Sequence, residues 1–245
     1  MSTLLVDLEA HVGGRVLLAV MAGSRGHGFD TPESDYDIHG VFVRPTETVL
    51  GLDGVGTETY EWKGEYEGKP CDFVFHEVGK FLHLCLNGNP TALNVLKFDL
   101  LPELSLSLDM APDLQALLPK LIHKNTLKPF LGYAKDQLRR LDKGMSVHGK
   151  GGKPSGKWAA HVLRILWQGL ELADTGNLIV RFNESQTKLL LDARSDNFPL
   201  AGARAMALEF IPHLEEYVDG KEPTPLPDKP NRTAINAFLL AMRGL

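Results

Sequence analysis

The hydrophobic and polar positions of the first hundred residues predict a small β-sheet with helices. Three short apolar runs, bounded by Gly, Pro or polar residues, are typical of strands: RVLLAVMAG at 15 to 23, DIHGVFVRP at 37 to 45 and PCDFVFH at 70 to 76. The spacing predicts an amphipathic helix over 3 to 12 and a second helix that begins at about 77 and stops at residues 87 to 90. A hairpin turn around residues 64 to 68 leads into the third strand.

Beyond about residue 110 the strand pattern fades and helical spacing recurs. Six helices are predicted between Gly, Pro and Asn residues, at roughly 112 to 124, 126 to 145, 155 to 175, 184 to 194, 200 to 219 and 231 to 243. The pattern therefore predicts an α+β fold in two domains, a mixed sheet with helices over residues 1–108 and a helical domain over residues 109–245.

The composition indicates an ordinary globular protein, since 43% of the residues are hydrophobic and 23% are charged. No apolar stretch approaches the roughly 18 residues that cross a bilayer, and the N-terminus MSTLLVDLEAHVGG carries acids where a signal peptide is cationic. We therefore expect a cytoplasmic protein without a membrane partner. Cys71 and Cys85 lack the spacing of a zinc site and are expected to be buried free thiols.

Acidic residues lie at the start of two of the predicted strands. Asp35 and Asp37 project to one face of the second strand, roughly 7 Å apart at Cα, and like charges this close destabilise each other without a cation. Asp72 begins the third strand. If the two strands are neighbours, three carboxylates line one patch, as two divalent ions in phosphoryl transfer require. Carboxylate oxygens favour Mg²⁺ or Mn²⁺ over Zn²⁺.

The turn before these acids has the residues of a phosphate-binding loop. Gly23 and the two glycines that follow it allow the backbone to approach a ligand closely, and Ser24 offers a hydroxyl and an N–H group. Arg25 can add a charge-assisted contact, although an exposed or Asp-paired arginine is an equal alternative. The glycine turn and the acids together indicate a nucleoside triphosphate bound with its metal ions.

The stretch AGSRGHGFDTPESDYDIHG at 22 to 40 resembles the signature of the DNA polymerase β-like nucleotidyltransferases. That signature is a Gly-Ser pair, about ten residues, an Asp-x-Asp motif on a strand and a third acid on a later strand. Here the matching positions are Gly23, Ser24, Asp35, Asp37 and Asp72. A wider run, roughly residues 15 to 180, is similar to the RlaP or YcgL-like branch, predicted nucleotidyltransferases associated with RNA repair.

The resemblance implies a polymerase β palm-like mixed sheet in a catalytic domain, followed by a helical domain that contributes a basic substrate-binding face. It implies Mg²⁺ or Mn²⁺ as cofactor and a two-metal transfer of a nucleoside monophosphate from an NTP to an acceptor hydroxyl. RNA is the preferred acceptor. The NTP base, the number of nucleotides added and the oligomeric state stay open.

The resemblance also implies a role for each matching residue. Asp35 and Asp37 would bind both metal ions, and Asp72 would bind the ion that activates the attacking hydroxyl. Gly23 and Ser24 would hold the triphosphate. Positioning and metal electrostatics supply most of the catalysis in such a mechanism, so no protein nucleophile is required.

A second group of candidate residues lies in a basic region. Residues 120 to 168 contain eleven Lys and Arg against two acids, in a chain of net charge −5. Within GKWAAHVLRILWQGLE the residues Lys157, His161, Arg164 and Gln168 share one helical face. This face is either simply solvated, or Lys157 and Arg164 bind the triphosphate or an acceptor backbone with His161 as a nearby hydrogen-bond donor.

Three other functions fit the sequence poorly. GGKPSGKW at 151 to 158 matches part of a P-loop, but Trp158 replaces the Mg²⁺-binding Ser or Thr. An EF-hand starting at Asp35 has Thr46 where the bidentate Glu belongs, and no H-E-x-x-H pair supports a zinc hydrolase. Two rivals stay open: an adenylyltransferase that modifies a protein in the manner of an antitoxin, and a nucleotide-binding regulator without turnover.

Overall fold

The structure is a computed structural model that describes residues 3–52, 56, 58–146, 156–195 and 199–245. Most of the GGKPSGKW segment lies outside the described residues. Among the helices described, none is long and apolar enough to cross a membrane.

Within the described residues the sheet has four strands, and the three strands predicted from the sequence are all present. The strands are β1 (Arg15–Met21), β2 (Tyr36–Val43), β3 (Thr59–Tyr66) and β4 (Lys69–Glu77). Their order is β1-β2-β4-β3, with β2 parallel to β4 and the two outer pairs antiparallel. The predicted hairpin forms the β3–β4 pair. The α+β class with a mixed sheet is therefore confirmed.

Helices make up most of the remaining chain. They are α1 (Thr3–Val12), α2 (Gly23–His27), α3 (Thr46–Leu50), α4 (Val78–Leu86), α5 (Pro90–Val95), α6 (Ala111–Gln115), α7 (Leu118–Leu121), α8 (Leu127–Ser146), α9 (Gly156–Thr175), α10 (Glu184–Arg194), α11 (Leu200–Val218) and α12 (Arg232–Met242). The single helix predicted over 112 to 124 is wrong. Pro119 has no N–H to continue α6, so it lies in the first turn of the separate helix α7.

The chain forms two compact units. The first comprises Met1–Leu86, Thr91–Leu121 and Pro230–Leu245, and thus contains the whole sheet and α12. The second comprises Asn87–Pro90 and Ile122–Lys229, and contains α8 to α11. The division near residue 108 into a catalytic domain and a helical domain that binds substrate stays a prediction.

The two faces of the sheet differ in polarity. Ile38 and Phe75 point to one face and have no exposed surface, and Phe73 on the same face stacks on a tryptophan ring with centroids 4.8 Å apart. Side chains alternate along a strand, so Asp37 on β2 and Asp72 on β4 point to the opposite face. Burial of the apolar face therefore fixes which face carries the acids.

A buried ion pair links the last residues of the chain to the end of β4. Nη2 of Arg243 lies 2.6 Å from Oε1 of Glu77, with only 10% and 7% of the two side chains exposed. Nη1 of Arg243 donates to the Arg44 carbonyl oxygen at 3.2 Å, and the Arg243 carbonyl accepts from the Thr46 hydroxyl at 2.7 Å. These bonds attach the segment after α12 to the segment after β2.

We expect Arg243→Ala to lower the free energy of unfolding by about 3 kcal/mol, because it leaves the buried Glu77 carboxylate without its cation. Arg15→Ala is the matched control, since it breaks a pair of the same 2.6 Å length whose side chains are 54% and 71% exposed. That change is expected to cost less than about 1 kcal/mol. Urea unfolding followed by circular dichroism measures both losses, and equal losses would contradict the prediction.

Candidate active site

Asp37 and Asp72 lie side by side on the polar face of the sheet. They are directly paired across the parallel strands β2 and β4, and neighbouring strands are about 4.8 Å apart. Asp35 is exposed and lies one residue before β2 begins. The structure thus makes the two acid-bearing strands neighbours, as the sequence argument required, and pairs Asp37 with Asp72, while Asp35 lies in the adjoining loop.

Asp35, Asp37 and Asp72 are called the acidic row below. The glycine turn that begins at Gly23 lies directly against Asp37 of this row. Gly23 has a φ of +59°, and a Cβ at this position would lie 1.9 Å from Oδ2 of Asp37. A side chain of any other residue type would therefore collide with the carboxylate, in a backbone conformation that only glycine adopts without strain. The Ala22 N–H donates to the Asp37 carbonyl oxygen at 2.7 Å. The turn and the acid are one local structure, formed where β1 passes into α2.

Ser24 and Arg25 follow in the short helix α2. Ser24 is half-buried, and its carbonyl oxygen accepts from the Phe29 N–H at 3.1 Å. The Arg25 guanidinium donates to Oδ2 of Asp30 at 3.1 Å and to the Ser34 carbonyl oxygen at 2.8 Å.

The same guanidinium lies 4.2 Å from the centre of the Tyr36 ring, and 17% of the Arg25 side chain is exposed. Arg25 therefore stabilises the loop that leads to Asp35. Of the alternatives that the sequence left open for Arg25, the structure shows pairing with an aspartate. Its contact with a nucleotide stays a prediction.

Lys63 on β3 adds a cation that the sequence argument missed. Its Nζ lies 3.0 Å and 3.3 Å from the two carboxylate oxygens of Asp72. The pKa of Lys63 is raised, chiefly by the hydrogen bond and charge of Asp72, with smaller contributions from Asp35 and Asp37. The ammonium group thus lies within the electrostatic reach of all three acids.

The donor atoms fit a hard divalent cation, since carboxylate oxygens are the ligands that Mg²⁺ and Mn²⁺ prefer. The ammonium group of Lys63 at Asp72 shows that this patch accepts positive charge, and 54% of the Asp72 side chain is exposed. Among the residues described, no group of three or more His, Cys, Asp and Glu side chains is arranged to hold a metal ion. A metal site here stays a proposal.

The predicted basic face of α9 is exposed only in part. Lys157 is exposed and His161 is half-buried, but Arg164 and Gln168 are buried. Nη1 of Arg164 donates to Oε1 of Gln168 at 3.0 Å, and Gln168 in turn donates to the Ile179 carbonyl oxygen at 2.7 Å. Burial lowers the pKa of Arg164 to about 10. The alternative that this face is simply solvated is therefore wrong for Arg164 and Gln168.

His161 lies among positive charges from two helices. Burial, followed by the charges of Arg164, Lys157 and Arg194, lowers its pKa to about 3. Arg194 ends α10 and was not predicted from the sequence, because helical spacing does not show which helices pack together. The packing is close, since a Cβ on Gly156 would lie 1.8 Å from the Ala193 carbonyl oxygen.

We expect His161 to make folding sensitive to acid. Near its ordinary pKa of 6.5 the unfolded chain takes up a proton that the folded chain refuses until about 3, so stability is lost as the pH falls through this interval. His161→Asn removes this contribution, and its free energy of unfolding should fall less than that of the wild type between about pH 7 and about pH 5. Urea unfolding at the two pH values measures the difference. The prediction fails if both proteins lose the same amount.

Comparison with known proteins identifies a family. The family model RlaP, described as the RNA repair pathway DNA polymerase beta family, matches residues 2–239. One solved structure, of a nucleotidyltransferase-like protein from Exiguobacterium sibiricum 255-15, is 15% identical over 89% of this chain and 73% of that chain, with a TM-score of 0.32. No curated protein matches the chain. The family match extends over the acidic row, the glycine turn and α9.

Proposed function

Because this chain belongs to RlaP, the RNA repair pathway DNA polymerase beta family, it is a nucleotidyltransferase, and we propose that it transfers a nucleoside monophosphate from an NTP to a hydroxyl of RNA. We place the reaction in the cytoplasm, with Mg²⁺ or Mn²⁺ as cofactor. The observation that carries the proposal is the position of Asp37, paired with Asp72 across two strands and packed against Gly23.

The acidic row provides the ligands and the glycine turn the phosphate contacts. Asp35, Asp37 and Asp72 would hold the divalent ions. Gly23 and Ser24 would present backbone N–H groups and a hydroxyl to the triphosphate. When bound, the ions supply electrostatic stabilisation to the charge that develops on the reacting phosphate and lower the pKa of the attacking hydroxyl.

The reaction itself exchanges one phosphorus–oxygen bond for another. The acceptor oxygen bonds to the α-phosphorus, the bond from the α-phosphorus to the bridging oxygen breaks, and pyrophosphate leaves. The proton of the hydroxyl passes to solvent. The fixed sheet backbone on which Asp37 and Asp72 lie keeps the carboxylates in place, so catalysis by positioning requires no covalent intermediate.

The second unit supplies positive charge. Lys157, His161, Arg164 and Arg194 are coupled electrostatically, and burial keeps His161 neutral at physiological pH. We assign this group to binding of phosphates of the RNA backbone. The support is the concentration of positive charge around His161, from Arg164, Lys157 and Arg194, with Lys157 exposed.

Incubation with each α-labelled NTP, Mg²⁺ and either an RNA pool or a protein pool tests the proposed acceptor. We expect label in the RNA pool and none with Asp37→Asn. Label in the protein pool alone would instead support an adenylyltransferase that modifies a protein. Binding of the NTP without transfer to either pool would support a regulator.

A further inference from the structure

The row of acids on the polar face of the sheet ends in a lysine. Asp37 pairs with Asp72 across β2 and β4, and Asp72 pairs with Lys63 across β4 and β3. Directly opposite residues on neighbouring strands point to the same face. The three side chains therefore form one line across three strands, with the ammonium group at the end of the line where β3 borders the sheet.

The contact between Lys63 and Asp72 engages both carboxylate oxygens and yet is easily separated. Nζ of Lys63 lies 3.0 Å and 3.3 Å from the two oxygens of Asp72. The side chains are 86% and 54% exposed, so water competes for both groups and no surrounding protein holds them together. A divalent ion carries twice the charge and can replace the ammonium group at these oxygens.

The displaced lysine has other carboxylates within its own strand. Glu61 and Glu65 lie two residues before and after Lys63 on β3, so all three side chains share one face, with neighbouring Cα atoms roughly 7 Å apart. Each of these glutamates is exposed. If Lys63 leaves Asp72, its ammonium group therefore still has negatively charged side chains close by.

We propose that Lys63 is a built-in counter-ion of the acidic row, which occupies the cation position at Asp72 in the metal-free protein and leaves it when a divalent ion binds. The inference rests on the proposed function, because it requires the metal site. It adds a competitor to that site: the ammonium group relieves the repulsion among the acids without metal and weakens the binding of the ion that Asp72 helps to hold.

Binding of Mn²⁺ alone, without nucleotide, tests the inference. The loss of the free Mn²⁺ signal in electron paramagnetic resonance gives the dissociation constant. We expect Lys63→Met to bind Mn²⁺ about threefold to tenfold more tightly than the wild type, because competition and charge repulsion are both removed. Lys63→Arg, which keeps the charge, should bind as the wild type does.

Lys221→Met is the matched control. Nζ of Lys221 lies 3.0 Å from Oδ2 of Asp219, an ion pair of similar length and exposure in the second unit, so the variant makes the same change in net charge. Its affinity for Mn²⁺ should equal that of the wild type. If Lys221→Met gained as much affinity for Mn²⁺ as Lys63→Met, the inference would be overturned, because the change in net charge alone would then explain the effect.

Failure of the inference differs from failure of the metal site. If the wild type binds Mn²⁺ through Asp37, as its loss in Asp37→Asn would show, but Lys63→Met binds equally or more weakly, only the counter-ion role of Lys63 is overturned. If neither the wild type nor Lys63→Met binds Mn²⁺, the metal site fails and the inference fails with it. Binding by Lys63→Met alone would support the inference most strongly.

Discussion

Replacing Asp37 by Asn is expected to lower the rate of nucleotide transfer by about a thousandfold or more. The substitution keeps the shape of the side chain but removes the charge at the centre of the acidic row, where Asp37 pairs with Asp72 and packs on Gly23. Loss of several kcal/mol of electrostatic stabilisation in the transition state corresponds to such a decrease, since each 1.36 kcal/mol is a factor of ten. Transfer of label from an α-labelled NTP measures the rate.

The control separates this effect from a general loss of acidic charge. Glu33 is exposed in the loop just before Asp35, and Glu33→Gln makes the same change in charge. Its rate of transfer should be that of the wild type. Asp37→Asn should also keep its thermal unfolding midpoint within a few degrees, because the substitution relieves repulsion between neighbouring carboxylates. Comparable transfer in Asp37→Asn and the wild type would refute the role of this residue.

Gly23→Ala is expected to reduce transfer by about a hundredfold to a thousandfold, although alanine carries no charge and removes none. Its methyl group would lie 1.9 Å from Oδ2 of Asp37, so either the carboxylate or the turn must shift. A shift of this size displaces the ligands of the proposed metal site from the triphosphate contacts. The same assay with α-labelled NTP measures the loss.

The conformational part of this effect can be measured separately. Gly220 has a φ of +73° and no atom within 4 Å of an added Cβ, so Gly220→Ala carries the strain of a left-handed backbone without a collision. Gly220→Ala is expected to lose about 1 to 2 kcal/mol of stability, and Gly23→Ala at least as much because of the added collision. Only Gly23→Ala should lose transfer. Normal transfer in a folded Gly23→Ala protein would show that the glycine is not needed for the site.

The sheet was largely predictable from the sequence, because three of its strands are short apolar runs between Gly, Pro or polar residues and the hairpin turn before β4 indicates the fourth. The strand order was not, since nothing in the spacing shows that β4 lies between β2 and β3. The prediction that Asp72 joins the other acids therefore required β2 and β4 to be neighbours. Only the structure shows this, through the pairing of Asp72 with Asp37.

The cations of both units were harder to predict than the acids. An aspartate at the start of an apolar strand is unusual and can be recognised in the sequence. Lys63 lies among polar residues on an exposed strand, and only its pairing with Asp72 in the structure indicates a role. Arg194 and Arg243 likewise act on residues that are distant in the sequence, Arg194 on His161 of α9 and Arg243 on Glu77 at the end of β4. Local patterns report the faces of an element but not its neighbours.

The central claim is that the acidic row transfers a nucleoside monophosphate, and the fate of the phosphates of one NTP tests it most directly. The protein is incubated with RNA, Mg²⁺ and either α-labelled or γ-labelled NTP. We expect the α-label to be retained on the RNA and the γ-label to be released as pyrophosphate, with both outcomes lost in Asp37→Asn. Transfer of the γ-label to the RNA, or retention of α-label that persists in Asp37→Asn, would contradict the account.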